Sequence, residues 1–152
     1  MSKPIPEGFH AITPYLYFQG AAAAMEFYKK AFDATELMRM TGADGRIGHA
    51  ELRIGDSRIM LADEHPEIGA LSPKHYGGSP IHLMFYCENV DKTVETAVAQ
   101  GAKIIRPVAD QFYGDRTGGI EDPFGHQWFV ATHVEDVSNE EMERRAQSYK
   151  VG

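Results

Sequence analysis

The chain has 152 residues, a formal net charge of −7 at pH 7 and one cysteine. This length suits a single domain with a normal core, and a lone cysteine excludes an internal disulfide framework, so we expect a protein of the reducing cytoplasm. The acidic balance makes nucleic acid and anionic membranes poor partners. No apolar run reaches the roughly 18 residues of a membrane span, and the first residues match neither a secretion signal nor a transit peptide.

The first half of the chain predicts one strand, one helix and three further strands. In order they are Ile12–Phe18, the helix Ala21–Phe32, then Ala34–Met40, Gly48–Ile54 and Arg58–Ala62. Apolar residues of the helix recur with i, i+3, i+4, i+7 spacing at Ala24, Phe27, Tyr28 and Ala31. This spacing predicts that one side of the helix packs on the sheet.

A segment without sustained periodicity, residues 64–79, follows and predicts a linker. The second half then predicts a strand at Ile81–Cys87, a helix at Val90–Gln100, and strands at Ala102–Val108, Arg116–Ile120 and Gln127–His133. Asn89 is the expected N-cap of that helix, and Gly101 suits its left-handed end. The string Asp122-Pro123-Phe124-Gly125 predicts a hairpin turn.

The tail at 136–152 predicts a last helix, because Ser138 and Glu141 have the spacing of a capping box. The two halves preceding it repeat one plan. Ile12 and Ile81 lie 69 residues apart, and the turn glycines Gly55 and Gly125 lie 70 apart. Two similar units commonly face each other, and the space between them is where we expect a ligand.

Strand alternation places aromatic and polar side chains on one face of the first strand in each half. They are Thr13, Tyr15 and Tyr17 in the first half, and His82, Met84 and Tyr86 in the second. A tyrosine in such a place can stack on a ligand and orient it through its hydroxyl. The alternative is that these side chains fill a closed core.

Three charged or titratable residues, His49, Glu51 and Arg116, can each have either a structural or a functional role. His49 and Glu51 alternate with apolar residues, which is typical of a half-exposed strand but also places an acid/base pair or metal ligands on one face. Arg116, next to Asp115, either forms a structural ion pair or awaits a substrate carboxylate.

Several strings resemble a known family. Glu26-Phe27-Tyr28, Asn89-Val90-Asp91 and the string 122–126 resemble the vicinal oxygen chelate superfamily of glyoxalases, bleomycin-resistance proteins and extradiol dioxygenases. The strings 110–116 and 132–138 are similar to its PhnB-like branch. The resemblance covers about 9–145. It implies an α+β glyoxalase-like fold in one domain, 9–135, whose paired βαβββ modules, 9–63 and 80–135, form a concave mixed sheet, and it implies a homodimer.

The resemblance also bears on metal binding. Metal-dependent members of the family carry a histidine on the first strand of each module and a carboxylate on the last. The matching positions here are Thr13 and His82, then Ile59 or Met60, and Phe129. Only His82 is a ligand type, and a catalytic divalent ion needs about three protein ligands. We therefore expect no metal and no other cofactor, with His82 either an acid/base or hydrogen-bonding residue or a satisfied cavity histidine.

Together these observations predict a small-molecule-binding protein that resembles the bleomycin-resistance type and holds its guest in an aromatic-lined cavity. The predicted ligand-binding residues are Thr13, Tyr15, Tyr17, His49, Met84, Tyr86, Phe112, Trp128 and Phe129. Two enzymatic alternatives stay open. One is a lyase, isomerase or dioxygenase with a divalent metal rebuilt on His82, His49 and Glu51. The other is a metal-independent catalyst in which His82 or Glu51 abstracts a proton and Arg116 holds a carboxylate.

Overall fold

The protein, seen in a computed structural model that describes residues 2–149, divides into two compact units. Unit 1 contains the described residues up to Pro80 together with Pro123–His126. Unit 2 contains Ile81–Asp122 and the residues from Gln127 onward. Residues 150–152 of the predicted tail lie outside the described part. The predicted α+β fold of two βαβββ modules is confirmed, and each module forms its own four-stranded mixed sheet.

Unit 1 consists of β1 (Tyr15–Phe18), α1 (Ala21–Phe32), β2 (Thr35–Thr41), β3 (Ile47–Ile54) and β4 (Ser57–Asp63). The sheet order is β1-β4-β3-β2, and β1 runs parallel to β4 while the other pairs are antiparallel. Helix α1 has the predicted bounds and buries the predicted apolar side, including Phe27 and Tyr28. The segment after β4 also belongs to unit 1, and it contains a 3₁₀ turn at Pro66–Ile68 and the short helix α2 (Pro73–Tyr76).

Unit 2 repeats the plan with β5 (His82–Tyr86), α3 (Val90–Ala99), β6 (Lys103–Asp110), β7 (Asp115–Glu121) and β8 (Gln127–His133), in the order β5-β8-β7-β6. The predicted cap of α3 is confirmed, because the Asn89 side chain accepts a hydrogen bond from the Lys92 amide at 3.1 Å. The last helix, α4 (Asn139–Ser148), is also confirmed, with Ser138 accepting from the Glu141 amide. No helix within residues 2–149 has the length and apolarity that a membrane span requires.

The first strand of each module begins later in the structure than the sequence predicts. The expected starts were Ile12 and Ile81, whereas β1 begins at Tyr15 and β5 at His82. Both isoleucine side chains are exposed. Pro14 has no amide hydrogen to donate to a ladder, and only its carbonyl oxygen joins the pairing, accepting from the Met60 amide at 2.9 Å. Thr13 therefore precedes β1 instead of lying on it.

Candidate functional site

The first candidate site is the face of the unit 1 sheet that carries Tyr15 and Tyr17. Strand pairing aligns Tyr15 with Met60, Met60 with Glu51, and Glu51 with Met38, which forms one row of side chains across the sheet. The alternate residues Leu16 and Phe18 are buried in the core. Tyr15 and Glu51 in this row carry polar groups that can orient a ligand, and the two methionines supply apolar contact surface.

A chain of hydrogen bonds runs along this face. The Tyr15 hydroxyl lies 2.8 Å from His49 Nδ1, and His49 Nε2 lies 2.9 Å from Glu51 Oε2. An ionised carboxylate only accepts, so the Nε2 hydrogen points to Glu51 and Nδ1 accepts the Tyr15 hydroxyl hydrogen. The predicted pair of His49 and Glu51 is therefore hydrogen-bonded, and it fixes the direction of the Tyr15 hydroxyl.

Burial raises the pKa of the Tyr15 phenol above 10.0, and the nearby Tyr17 and Glu51 raise it further. Each of these effects disfavours the phenolate, because an anion loses solvation on burial and is repelled by negative neighbours. Tyr15 is therefore a neutral hydrogen-bond donor at pH 7, and His49 is the group within reach that can receive its proton.

A cavity of about 240 Å³ adjoins this chain of hydrogen bonds. Tyr15 and Tyr17 form part of its wall, with their ring centroids 5.1 Å apart. Asp63 forms another part and accepts hydrogen bonds from the amides of Gly20, Ala21 and Ile47. The volume lies just below the range of about 300–1,000 Å³ that is typical of drug-sized ligands, so it suits a smaller guest.

The second candidate site is the equivalent face of the unit 2 sheet. One row contains Met84, Phe129, Gly119 and Arg106, and the next contains Tyr86, Ala131, Thr117 and Ala109. The His82 ring stacks on Phe129, with centroids 4.5 Å apart and planes 13° from parallel. Phe129 and Gly119 thus occupy the middle of the first row, and Ala131 and Thr117 the middle of the second.

A second polar network lies at one end of the same face. The Tyr86 hydroxyl donates to Asp115 Oδ2 at 2.7 Å, and Asp115 Oδ1 lies 2.8 Å from His133 Nδ1. His133 Nε2 in turn lies 2.7 Å from Asp136 Oδ1. Hydrogen bonds to Asp115 and then Asp136 raise the pKa of His133 above 6.5, and the bond to Asp115 is the main reason why the pKa of Tyr86 is raised above 10.0.

The predicted tyrosines and Met84 do not fill a closed core. Tyr15, Met84 and Tyr86 keep 40%, 45% and 56% of their surface exposed. These exposures contradict the closed-core alternative, because core side chains are close-packed and lose nearly all contact with water.

Two predicted site residues, Trp128 and Phe112, have other surroundings. Trp128 is adjacent to Phe129 on β8 and therefore faces the other side of the sheet, where it is only 4% exposed and donates to Asp122. Phe112 lies in the turn between β6 and β7 and contacts Tyr113 and Tyr149. Trp128 is a core residue, and Phe112 packs on aromatic side chains of its own unit. Neither side chain therefore belongs to the row of side chains that contains Phe129 on the unit 2 sheet.

Arg116 was assigned two roles, and its contacts favour the structural one. Its guanidinium pairs with both oxygens of Asp91, at 2.8 and 2.9 Å, and with Asp110 at 3.2 Å. The adjacent Asp115 is not its partner, because neighbouring residues of a strand face opposite sides. With two carboxylates already bound, Arg116 has little capacity left for a substrate carboxylate.

Among residues 2–149 no three His, Cys, Asp or Glu side chains are grouped as a metal ion requires. His49 and Glu51 belong to unit 1 and His82 to unit 2, and each already has the neighbours described above. The four positions that match the family's ligand positions carry one imidazole and no carboxylate.

Sequence reasoning did not identify Asp63, Arg106, Thr117 or the Asp115–His133 pair. A partial signal was present for one of them, Thr117. Thr117 precedes the pair Gly118-Gly119 within a strand, and consecutive glycines there indicate close approach of other groups to the backbone. The contacts of Asp63 depend on three separate elements, which no local pattern encodes.

Comparison with known proteins agrees with this architecture. Residues 9–130 match the family model of the Glyoxalase/Bleomycin resistance protein/Dioxygenase superfamily. Uncharacterized protein Mb0911c of Mycobacterium bovis is 38% identical over 136 residues, which cover 88% of this chain and 90% of that protein.

Two solved structures share the fold. The Arabidopsis thaliana gene product AT5G48480 has a TM-score of 0.65 at 25% identity, covering 81% of this chain and 98% of that chain. The PhnB protein of Bacillus cereus has a TM-score of 0.63 at 22% identity, covering 81% and 99%. The predicted superfamily is thus confirmed, and a PhnB protein is among the structures of this fold. On the match to its family model, the chain belongs to the glyoxalase/bleomycin resistance protein/dioxygenase superfamily.

Proposed function

We propose that the protein binds a small planar organic molecule against the Tyr15–Tyr17 wall of unit 1, without a metal ion. One observation carries the proposal, namely the cavity of about 240 Å³ that has both tyrosines in its wall. The two tyrosine rings supply contact area for a planar ligand. The Tyr15 hydroxyl, which is hydrogen-bonded to His49, can fix the orientation of that ligand. The metal-free character is supported by the positions that match the family's ligands, because Thr13, Ile59 or Met60, and Phe129 supply neither an imidazole nor a carboxylate.

The test compares two tyrosine variants of unit 1. A thermal-shift panel of quinones, aromatic acids and heteroaromatic drugs identifies a ligand, because binding to the folded state raises apparent stability. Calorimetric titration of that ligand should then show Tyr17→Ala weakened by about 1–3 kcal/mol, the value of a buried aromatic contact. Tyr76→Ala is the matched control, since Tyr76 is an exposed tyrosine of the same unit that lies outside the cavity wall.

Equal affinities for the wild type and Tyr17→Ala would contradict the proposed site. Chelation separates the metal-free proposal from the metal-dependent alternative. Protein treated with EDTA and dialysed should bind the same ligand with unchanged affinity. Loss of binding together with removal of a stoichiometric ion would favour a rebuilt metal centre instead.

A second candidate function, acid–base catalysis on the bound molecule, is favoured by the chain Tyr15–His49–Glu51. As the Tyr15 oxygen takes a proton from the ligand, its own hydroxyl proton can pass to His49 Nδ1 and Glu51 can stabilise the resulting imidazolium, so that no free phenolate forms. In this arrangement Glu51 positions His49 and does not itself contact the ligand. Tyr15→Phe should keep ligand affinity within about threefold, since one hydrogen bond contributes ~1 kcal/mol or less, and should abolish any turnover.

We further infer a homodimer that acts in the cytoplasm. The apolar side chains of Ile104 and Ile105 are exposed on the edge strand β6, where a second copy can cover them. Light scattering coupled to size exclusion should give twice the chain mass of 16.9 kDa, and a mass equal to one chain would exclude the dimer.

A further inference from the structure

We infer, on the basis of the proposed function, that the guest of the unit 1 cavity is an arylalkylamine, positively charged at pH 7. Its ring would lie against Tyr15 and Tyr17, and its ammonium group would contact the carboxylates of Asp63 and Glu64. Three features of unit 1 support this ligand class. They are a second cavity that adjoins the first, the charges that the two cavities share, and the direction of the Tyr15 hydroxyl.

The second cavity of unit 1 has a volume of about 470 Å³. It lies at the start of α1, where Gly20 and Ala22 form part of its wall. Four charged residues line both this cavity and the tyrosine-lined one, namely Asp44, Arg46, Asp63 and Glu64. The two cavities therefore adjoin at these side chains. A guest whose ring contacts the tyrosines can direct a short chain toward this charged wall.

The shared wall has a negative net charge. Among the described residues of the two walls, Arg46 is the only arginine or lysine, and its Nε pairs with Asp44 Oδ2 at 2.8 Å. This ion pair is close to neutral, which leaves the carboxylates of Asp63 and Glu64. Neither forms an ion pair with a lysine or an arginine within residues 2–149. A wall of this charge attracts a cationic guest and repels an anionic one.

Uncharged groups hold both of these carboxylates in place. Asp63 accepts from three backbone amides. Glu64 Oε2 accepts from the amide of Ser72 at 2.8 Å and from its hydroxyl at 2.7 Å, and the amide bond is the main reason why the pKa of Glu64 is lowered from 4.5. Such donors stabilise the ionised form without cancelling its charge. A carboxylate has about four acceptor positions, so each keeps capacity for an ammonium group.

The Tyr15 hydroxyl presents an acceptor to the guest. Its hydrogen points to His49 Nδ1, because Glu51 holds the hydrogen of His49 at Nε2. The lone pairs of the phenol oxygen are then free to accept from a donor group of the guest, and an ammonium group has only donors. The charge of Glu51 also contributes to the raised pKa of Tyr15, and a negative field that disfavours a phenolate favours a cation nearby.

The tyrosine rings are suited to the same charge. Their centroids lie 5.1 Å apart, with planes 33° from parallel. An ammonium group within about 6 Å of an aromatic face is attracted by the electron density of the ring. An alcohol of the same shape gains neither this attraction nor the attraction of the carboxylates, so the charge of the guest should decide its affinity.

The test titrates the full chain at pH 7 and low salt with three probes that share a benzene ring and a short chain. By isothermal titration calorimetry, 2-phenylethylamine should bind at least about tenfold more tightly than the neutral 2-phenylethanol, and phenylacetate more weakly than the alcohol. Glu64→Gln should weaken binding of the amine about threefold and leave that of the alcohol unchanged, because glutamine keeps an acceptor oxygen for Ser72 but has no charge. Glu26→Gln is the matched control, since Glu26 is an exposed glutamate of the same unit outside both cavity walls.

Failure of 2-phenylethylamine to bind at millimolar concentration would overturn the inference, and so would equal or tighter binding of the alcohol or of phenylacetate. Equal affinity of the amine for the wild type and Glu64→Gln would also overturn it. The comparison of the three probes needs only the wild type, so it decides the matter even if a variant does not fold. A neutral or anionic ligand whose affinity depends on Tyr17 would overturn the inference and still support the proposed cavity. Equal binding of the amine by the wild type and Tyr17→Ala would contradict the cavity itself.

Discussion

Removing the Asp63 carboxylate should destabilise unit 1 more than any other single change to a surface-accessible acid of that unit. Asp63 ends β4, and its Oδ1 accepts from the amides of Gly20 and Ala21 at 3.0 and 2.8 Å. Its Oδ2 accepts from the Ile47 amide at 2.8 Å. Gly20 precedes α1 and has no side chain with which to cap it, so Asp63 provides the cap from another strand.

The magnitude follows from the number of donors and their burial. A hydrogen bond to a charged group contributes about 1.5–3 kcal/mol, and three of them would give about 4.5–9 kcal/mol if all were fully buried. The site is only partly buried, so water can reach some of the released amides. We therefore expect Asp63→Ala to lower the free energy of unfolding by about 2–4 kcal/mol, and Asp63→Asn, which keeps one acceptor oxygen, by about 1–2 kcal/mol.

Urea denaturation followed by far-UV circular dichroism measures this loss. Fluorescence is less suitable, because the single tryptophan, Trp128, lies in unit 2. The matched control is Asp56→Ala, in the turn between β3 and β4. Within residues 2–149 its carboxylate accepts only from the neighbouring Ser57 hydroxyl, at 3.2 Å, and an effect within about 0.5 kcal/mol is expected. If Asp63→Ala were no less stable than this control, the interpretation of Asp63 as a cap shared by α1 and β3 would be wrong.

Two further predictions concern unit 2 and the turns. In proton NMR titrations, the pKa of His133 should lie above 6.5 because of its two carboxylate partners, Asp115 first, and Asp136→Asn should lower it. Because the folded-state pKa is raised, the stabilisation that His133 provides is complete below about pH 6.5 and is lost as the pH rises through the folded-state pKa, and a flat stability profile across that window would contradict this linkage. Gly114→Ala should cost more than about 3 kcal/mol, because φ is +100° and the new Cβ would collide with the Glu135 carbonyl oxygen. Gly45→Ala, with φ of +84° and open space around it, should cost about 1 kcal/mol, and equal melting temperatures for the two variants would refute the collision.

The elements that the sequence predicted best are those with strong local patterns. The bounds of α1 match the prediction because its apolar spacing is regular and a glycine precedes it. The start of β8 matches because the turn residues 122–125 precede it, and its end at His133 also matches. The starts of β1 and β5 were wrong, since apolar character alone does not reveal where ladder pairing begins. Ile12 and Ile81 are apolar and exposed.

The candidate sites were predictable only in part, for a physical reason. Alternation along one strand predicted that Tyr15 and Tyr17 share a face, and the same rule separates Trp128 from Phe129. Contacts between strands depend on register, which a short run of sequence does not specify. The contact of Arg116 with Asp110 is of this kind, and so is the row that contains Arg106 and Phe129. The other partner of Arg116, Asp91, lies on a helix, where packing and not register decides the contact.

The two units contain tyrosines whose hydroxyls meet different partners, and this difference should appear in their titrations. Tyr15 meets an imidazole nitrogen, and burial is the main reason why its pKa is raised. Tyr86 meets the buried carboxylate of Asp115, and that hydrogen bond is the main reason in its case. A carboxylate accepts the hydrogen bond but repels the phenolate, whereas a neutral imidazole can take up the proton.

Asp115→Asn should therefore lower the pKa of Tyr86 toward 10.0 and leave that of Tyr15 unchanged. Glu51→Gln should lower the pKa of Tyr15 only slightly, because the Glu51 charge is the smallest of its three causes. NMR of tyrosines labelled at Cζ follows both groups in one sample. A large fall for Tyr15 in Glu51→Gln would show that charge, not burial, controls its proton. If the pattern is as expected, proton transfer from a ligand through Tyr15 to His49 is a property of the unit 1 face, while Tyr86 in unit 2 is fixed as a donor to Asp115.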